Sequence, residues 1–70
     1  MVFYESPHRI LKTLASLKEV LDEGREVVIG RELTKLHEEL RKGTASELLD
    51  FYISHEEKQR GEFVVIVAPK

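Results

Sequence analysis

The sequence predicts an α/β (α+β) fold in the order β-α-β-β-α-β, on three observations. Two segments carry apolar residues at helical spacing with capping signals beside them. Two short runs, Val27-Val28-Ile29-Gly30 and Phe63 to Ala68, are continuously apolar and rich in β-branched residues. A charged segment, Leu33 to Lys42, alternates in the manner of an edge strand.

Taken in order, Val2 to Tyr4 is short, aromatic and β-branched, which suits a strand. Ser6-Pro7 then offers a helix start, with Ser6 as N-cap and Pro7 at the first helical position. Ile10, Leu14, Leu17 and Leu21, with Leu11 beside them, give that helix one apolar face. Lys12, Lys18, Glu19 and Asp22 face water, and Gly24 closes the helix as a C′ residue. The run from Val27 to Gly30 is too short for a buried helix and reads as a strand covered on both faces, as does Phe63 to Ala68. Two such strands need layers above and below, whereas the chain has two good helices, so one sheet face is expected to rest on something outside this sequence.

The segment Leu33 to Lys42 fits two patterns. Leu33, Leu36 and Leu40 at i, i+3 and i+7 suit a helix, while Leu36, Glu38 and Leu40 alternating with His37, Glu39 and Arg41 suit a strand. The strand is preferred because Thr44 and Glu47 form a capping box, which requires Thr44 to be non-helical. A strand turning through Gly43-Thr44 into a helix is simpler than a helix that stops and restarts within two residues. An inward Glu38 on such an edge strand would discourage pairing with other chains. Ala45, Leu48, Leu49 and Tyr52 form the stripe of the second helix, which ends near Ser54, and His55 to Arg60 reads as a solvent loop closed by Gly61.

Seventy residues make one domain, residues 1–70, and at that size only about 60% of the unfolded surface can be buried. A complete large enzyme is excluded. The apolar fraction of 41% and charged fraction of 34% are those of a folded domain rather than a disordered one. With no Cys, neither a disulfide nor a thiolate metal site supports the core, and stability rests on packing. Strand-like runs lie within two residues of both ends, which suggests a piece of a larger protein. Eleven Lys and Arg against thirteen Asp and Glu give a net charge of -2, which is not that of a basic nucleic-acid-binding module. No stretch approaches the roughly 18 apolar residues of a membrane helix and no signal peptide is visible, so a cytoplasmic location without membrane contact is expected.

Functional groups concentrate at two strand exits, where ligands of open sheets tend to sit. Gly30-Arg31-Glu32-Leu33-Thr34-Lys35 combines a glycine that lets a flat ligand approach the backbone with two cations, Arg31 and Lys35, that could hold an anion. The plainer reading is that these charges cap a strand and pair with one another or with Glu38. Tyr4-Glu5-Ser6-Pro7-His8-Arg9 brings a carboxylate, an imidazole and a guanidinium to a helix N-terminus, where the dipole disfavours the cations His8 and Arg9. An exposed first turn explains them equally well. His37-Glu38-Glu39 and His55-Glu56-Glu57 lack the i, i+4 histidine pair of a zinc protease, so no metal is expected. No Gly-rich phosphate loop and no Ser/His/Asp set is recognisable.

Phe3-Tyr4-Glu5-Ser6-Pro7-His8-Arg9-Ile10, the stretch from Val27 to Glu39, Gly43-Thr44 and Gly61-Glu62-Phe63-Val64 together resemble the C-terminal subdomain of the bacterial 16S rRNA cytidine 2′-O-methyltransferases. These belong to the tetrapyrrole (corrin/porphyrin) methylase superfamily. The resemblance covers nearly the whole chain. It implies a protein of two α/β domains, usually a homodimer, with S-adenosylmethionine held in the cleft between them and a Gly-rich N-terminal methylase domain that is missing here. It also implies a four-stranded mixed sheet in the order first, last, second, third strand, with the last two strands antiparallel to the first two.

For individual residues, the resemblance places Tyr4, Glu5, Gly30, Leu33 and Thr34 along the cofactor cleft, with Tyr4, Gly30 and Leu33 nearest the adenosine. It places His8, Arg9, Arg31 and Lys35 toward the rRNA backbone, with Glu5, Glu32 and Glu38 orienting those cations, and assigns no catalytic base. The segment alone is expected to be inactive. Two other readings stand beside this one, a methylase for a tetrapyrrole or other small molecule and a free-standing ligand-binding or regulatory α/β module.

Overall fold

The computed structural model describes residues 1–34 and 37–69. The elements are β1 (Val2–Glu5), α1 (Ile10–Val20), β2 (Val27–Thr34), β3 (His37–Gly43), α2 (Ala45–Ser54), a 3-10 turn (Glu56–Lys58) and β4 (Glu62–Val67). The sheet order is β1-β4-β2-β3, and each neighbouring pair is antiparallel. The sheet is therefore not mixed. The crossovers through α1 and α2 each join strands that run the same way, but each skips one position, and an opposed strand fills the gap.

Strand alternation divides the sheet into two faces. One carries Phe3, Val65 and Ile29 in one row and Val67 and Val27 in another, and both helices pack on it. Ile10, Leu14 and Leu17 from α1 meet Ala45, Leu48 and Tyr52 from α2 over these strands, so the core is a single layer between sheet and helices. Tyr52 sits edge-to-face on Phe63, with ring centroids 5.6 Å apart, a geometry aromatic quadrupoles favour.

The opposite face has no covering layer within the described residues. Val28, Val64 and Ile66 are half-buried there, and Val2, Tyr4 and Leu40 are 65%, 83% and 77% exposed. The central strands are thus covered on one side only. Their apolar runs have the composition of doubly covered strands, and the described residues supply only one cover.

Two helix ends differ from expectation. Ser6 does not cap α1: its carbonyl accepts from the Arg9 amide (3.0 Å) in a preceding turn, and the helix starts at Ile10 behind Arg9, without a side-chain cap. The Ser6 amide itself donates to the Glu5 carboxylate (3.0 Å). At the other end Leu21 turns extended (ψ 153°), and Gly24 (φ 85°) serves the turn three residues later, a backbone region that L side chains rarely adopt. By contrast, α2 begins on the expected capping box, with the Thr44 hydroxyl accepting from the Glu47 amide (3.1 Å) and the Glu47 carboxylate from the Thr44 amide (2.8 Å). The strand reading for His37 to Gly43 holds.

Because the core is one-sided, equivalent truncations on the two faces should differ. Leu14→Ala is expected to cost about 2–5 kcal/mol, as large-to-small core changes do. Leu40→Ala on the open face should stay within about 0.5 kcal/mol. Urea unfolding followed by circular dichroism measures both, and equal losses would contradict the one-sided core.

Candidate functional site

Registers across the open face place the candidate residues in rows. Tyr4 stands opposite Val64, Val64 opposite Gly30, and Gly30 opposite Leu40, so one row crosses all four strands. Gly30 is the low point of that row. A Cβ built there would lie 2.7 Å from Val64 Cγ1 and 3.4 Å from Leu40 Cδ2, so the neighbouring side chains already lean over the glycine. With the exposed Tyr4 ring at one end and Leu40 at the other, the row frames a depression of about 140 Å³. A second opening, walled by Tyr4, Glu5 and Pro7, adjoins it at the end of β1. A flat, partly apolar ligand fits such a surface.

The next row toward the β2–β3 turn is acidic. Glu62, Glu32 and Glu38 stand directly opposite one another on β4, β2 and β3, and all three are exposed. Glu38 therefore does not point inward. Its neighbour Glu39 occupies the helix side, because alternation along β3 sends successive residues to opposite faces.

Glu5 and Arg31 share the helix face, away from Tyr4 and Gly30. Glu5 accepts hydrogen bonds from the Ser6 amide (3.0 Å) and the Thr13 hydroxyl (2.5 Å), with Arg9 Nε 3.6 Å away. The Thr13 bond, then the Ser6 bond, hold its carboxyl below the usual carboxylate range, and Arg9 adds to the effect. Glu5 ties β1 to α1 and also borders the opening at the end of β1.

Arg31 is 4% exposed. Its Nε and Nη2 donate to Glu39 Oε2 at 3.2 and 2.8 Å, and its Nη1 donates to the Arg60 carbonyl at 3.3 Å. Lys58 Nζ donates to the other Glu39 oxygen at 3.3 Å. The Arg31 guanidinium is thus paired inside the domain. Glu39 is held ionised, its pKa lowered chiefly by the Arg31 hydrogen bond and further by that from Lys58, against the opposing effect of burial.

His8 and Arg9 lie exposed in the turn before α1, and the Arg9 side chain is 68% exposed. The backbones of Leu33 and Thr34 belong to the end of β2, where the β2–β3 register shifts before Thr34 pairs with His37. Lys35 lies outside the described residues. Of the expected set, Tyr4 and Gly30 come together on one face, Glu5 and Arg31 lie on the other, and His8 and Arg9 stand at the strand exit. Leu40, Val64 and Glu39 were not foreseen. Pairing β2 with β3 in this register would have placed Glu39 and Leu40, opposite Arg31 and Gly30, and pairing β2 with β4 would have placed Val64, opposite Gly30.

Two further features lie apart from this site. The loop histidine His55 stacks on Phe51 (centroids 4.2 Å apart), and Arg41 covers that ring at 3.6 Å. A groove of about 560 Å³ between the end of α1 and the start of α2 is bordered by Leu17, Arg25 and Glu47, with none of the expected site residues along it. Among the described residues no helix is long and apolar enough to cross a membrane.

Comparison with known proteins finds relatives named ribosomal RNA small subunit methyltransferase I. Ribosomal RNA small subunit methyltransferase I of Pseudomonas aeruginosa is 44% identical over 68 residues, covering 97% of this chain and 24% of that protein. The Bacillus subtilis protein of the same name is 43% identical over 67 residues, covering 96% of the chain and 22% of that protein. That of Thermotoga maritima is 46% identical over 72 residues, covering 100% of the chain and 30% of that protein. Over 96–100% of its length the chain is similar to one segment of these proteins, and it spans about a quarter of their length. No family model matches it.

The ionised pairs give the domain a pH dependence with a definite sign. The folded pKa values of Glu5 and Glu39 lie below the ordinary 4.5. Each therefore contributes stability that is complete above the unfolded value and is lost as pH falls through the folded one. The melting temperature is expected to fall below about pH 4.5. The Glu5→Gln/Glu39→Gln double variant, less stable at neutral pH, should lose less over that acid window, as melting curves across pH would show.

Proposed function

We propose that residues 1–70 are the C-terminal subdomain of a two-domain, S-adenosylmethionine-dependent methyltransferase that modifies a cytidine 2′-hydroxyl of small-subunit rRNA. The observation that carries this reading is continuous similarity across 94–100% of the chain, at 40–46% identity, to proteins named ribosomal RNA small subunit methyltransferase I. The open sheet face supports it, because it is apolar and uncovered where the remainder of such an enzyme would close a cleft.

S-adenosylmethionine supplies an electrophilic methyl group on a sulfonium when bound. The described residues fit its adenosine end. Gly30 keeps the floor free of a Cβ, Val64 and Leu40 form apolar walls, and the exposed Tyr4 offers a ring for stacking on the base. Leu33 and Thr34, whose backbones end β2, are further cofactor contacts in this reading. His8 and Arg9, with Lys35, face the rRNA backbone, where cations supply affinity and orientation without reading sequence. Glu5 and Arg31 act inside the domain and hold the two strand exits in place. Catalysis then rests on proximity and alignment of the cytidine hydroxyl with the methyl group. The segment alone, with one wall of the cleft, is inactive, and the intact enzyme is a cytoplasmic homodimer.

In the full-length enzyme, Tyr4→Ala is expected to weaken S-adenosylmethionine binding by roughly 5–150-fold, the range for loss of one base-stacking contact, as measured by calorimetry. Arg9→Ala should raise KM for small ribosomal subunits and leave cofactor affinity unchanged. Methyl transfer to a porphyrinogen but not to small subunits would reject the rRNA reading.

A further inference from the structure

The acidic row and the open apolar face belong to one surface. Glu62, Glu32 and Glu38 stand on three adjacent strands, about 4.8 Å apart strand to strand. Like charges directly opposite one another destabilise a sheet. Among the described residues none of the three is in an ion pair. On the helix side Arg31 and Lys58 are both engaged with Glu39. One row further along the same face are Tyr4, Val64, Gly30 and Leu40, and beyond them Val2, Ile66 and Val28. An exposed apolar sheet face edged by an unneutralised acidic row is the profile of a docking surface.

We infer that this face docks the remainder of the methyltransferase polypeptide through an apolar surface edged with arginine or lysine side chains that lie over Glu62, Glu32 and Glu38. The inference rests on the reading of the chain as a methyltransferase subdomain and adds the chemistry of the docked surface. Three considerations select this occupant. The relatives carry three to four times the length of this chain, enough polypeptide to cover the sheet. An RNA strand is disfavoured, since its phosphates would meet three carboxylates. A second copy of this face would bring only Lys42 as a cation among its described outward residues, too little to match the row. Cations arriving from outside convert a repulsive row into charge-assisted contacts, which fix the register of docking.

The test is the triple variant Glu32→Gln/Glu38→Gln/Glu62→Gln, made both in the 70-residue chain and in the full-length enzyme. In the 70-residue chain the melting temperature should rise or stay level, because repulsion is removed. In the full-length enzyme it should fall, and limited proteolysis between this segment and the remainder should accelerate by at least about tenfold, as when buried charge pairs lose a partner. The three corresponding lysine substitutions should accelerate it further. A full-length enzyme that is equally stable or more stable with the glutamines overturns the inference. So does a 70-residue chain whose sedimentation shows a dimer abolished by Leu40→Glu, since the face would then bind its own copy. Methylation of small subunits by the wild-type full-length enzyme separates the two levels: its absence rejects the proposed function, whereas its presence with unchanged proteolysis rejects only the docking chemistry.

Discussion

The pairing of β4 with both β1 and β2 is the constraint on which the rest of this domain depends. β4 is the last strand in sequence and an inner strand of the sheet, so the first two strands are held together through it. Its inward side chains, Phe63, Val65 and Val67, are the floor on which both helices rest, and its outward Val64 forms the centre of the row that holds Tyr4 and Gly30. Contacts between chain ends carry a large loop-closure cost, recovered only when helices and sheet pack together. Core, site row and acidic row are therefore assembled in one cooperative event rather than by local structure.

A second constraint is the charge placed inside that assembly. Arg31 sits where an apolar residue would be ordinary, and its desolvation is offset by two bonds to Glu39 and one to the Arg60 carbonyl. A buried pair of this kind is weak evidence for stability but strong evidence for geometry, because each lost partner leaves an uncompensated charge. It joins β2, β3 and the entrance to β4 at the end of the sheet where the candidate site opens. The Glu5 bracket to Thr13 does the same for β1 and α1. The two strand exits are thus rigid on the helix side and open on the other.

That asymmetry links fold to function. A two-layer domain with helices on one side presents its other sheet face as a finished, rigid surface of apolar rows and one acidic row. Such a surface is incomplete as a domain exterior and well suited to be half of a cleft. The cations that suit a nucleic-acid backbone, His8 and Arg9, lie in the turn between β1 and α1, at the edge of that face rather than within it.

By itself the sequence determined the elements and their order, because helical spacing, the Thr44–Glu47 capping box and the β-branched runs are local signals carried by neighbouring residues. Its motifs also carried the resemblance to the rRNA methyltransferases, and with it the expectation of a cofactor site at the two strand exits. It did not determine which candidates share a surface. Tyr4 and Glu5 are adjacent, as are Gly30 and Arg31, yet strand alternation sends one of each pair outward and the other into the helix layer. Nor did it determine that Arg31 would be internal, which depends on Glu39 being its cross-strand neighbour after the β2–β3 turn. The start of α1 also lies later than the local signals indicate, at Ile10 behind a turn closed by the Arg9 amide on the Ser6 carbonyl. Pairing and face are decided by contacts between residues far apart in the chain, and only the tertiary structure sets those.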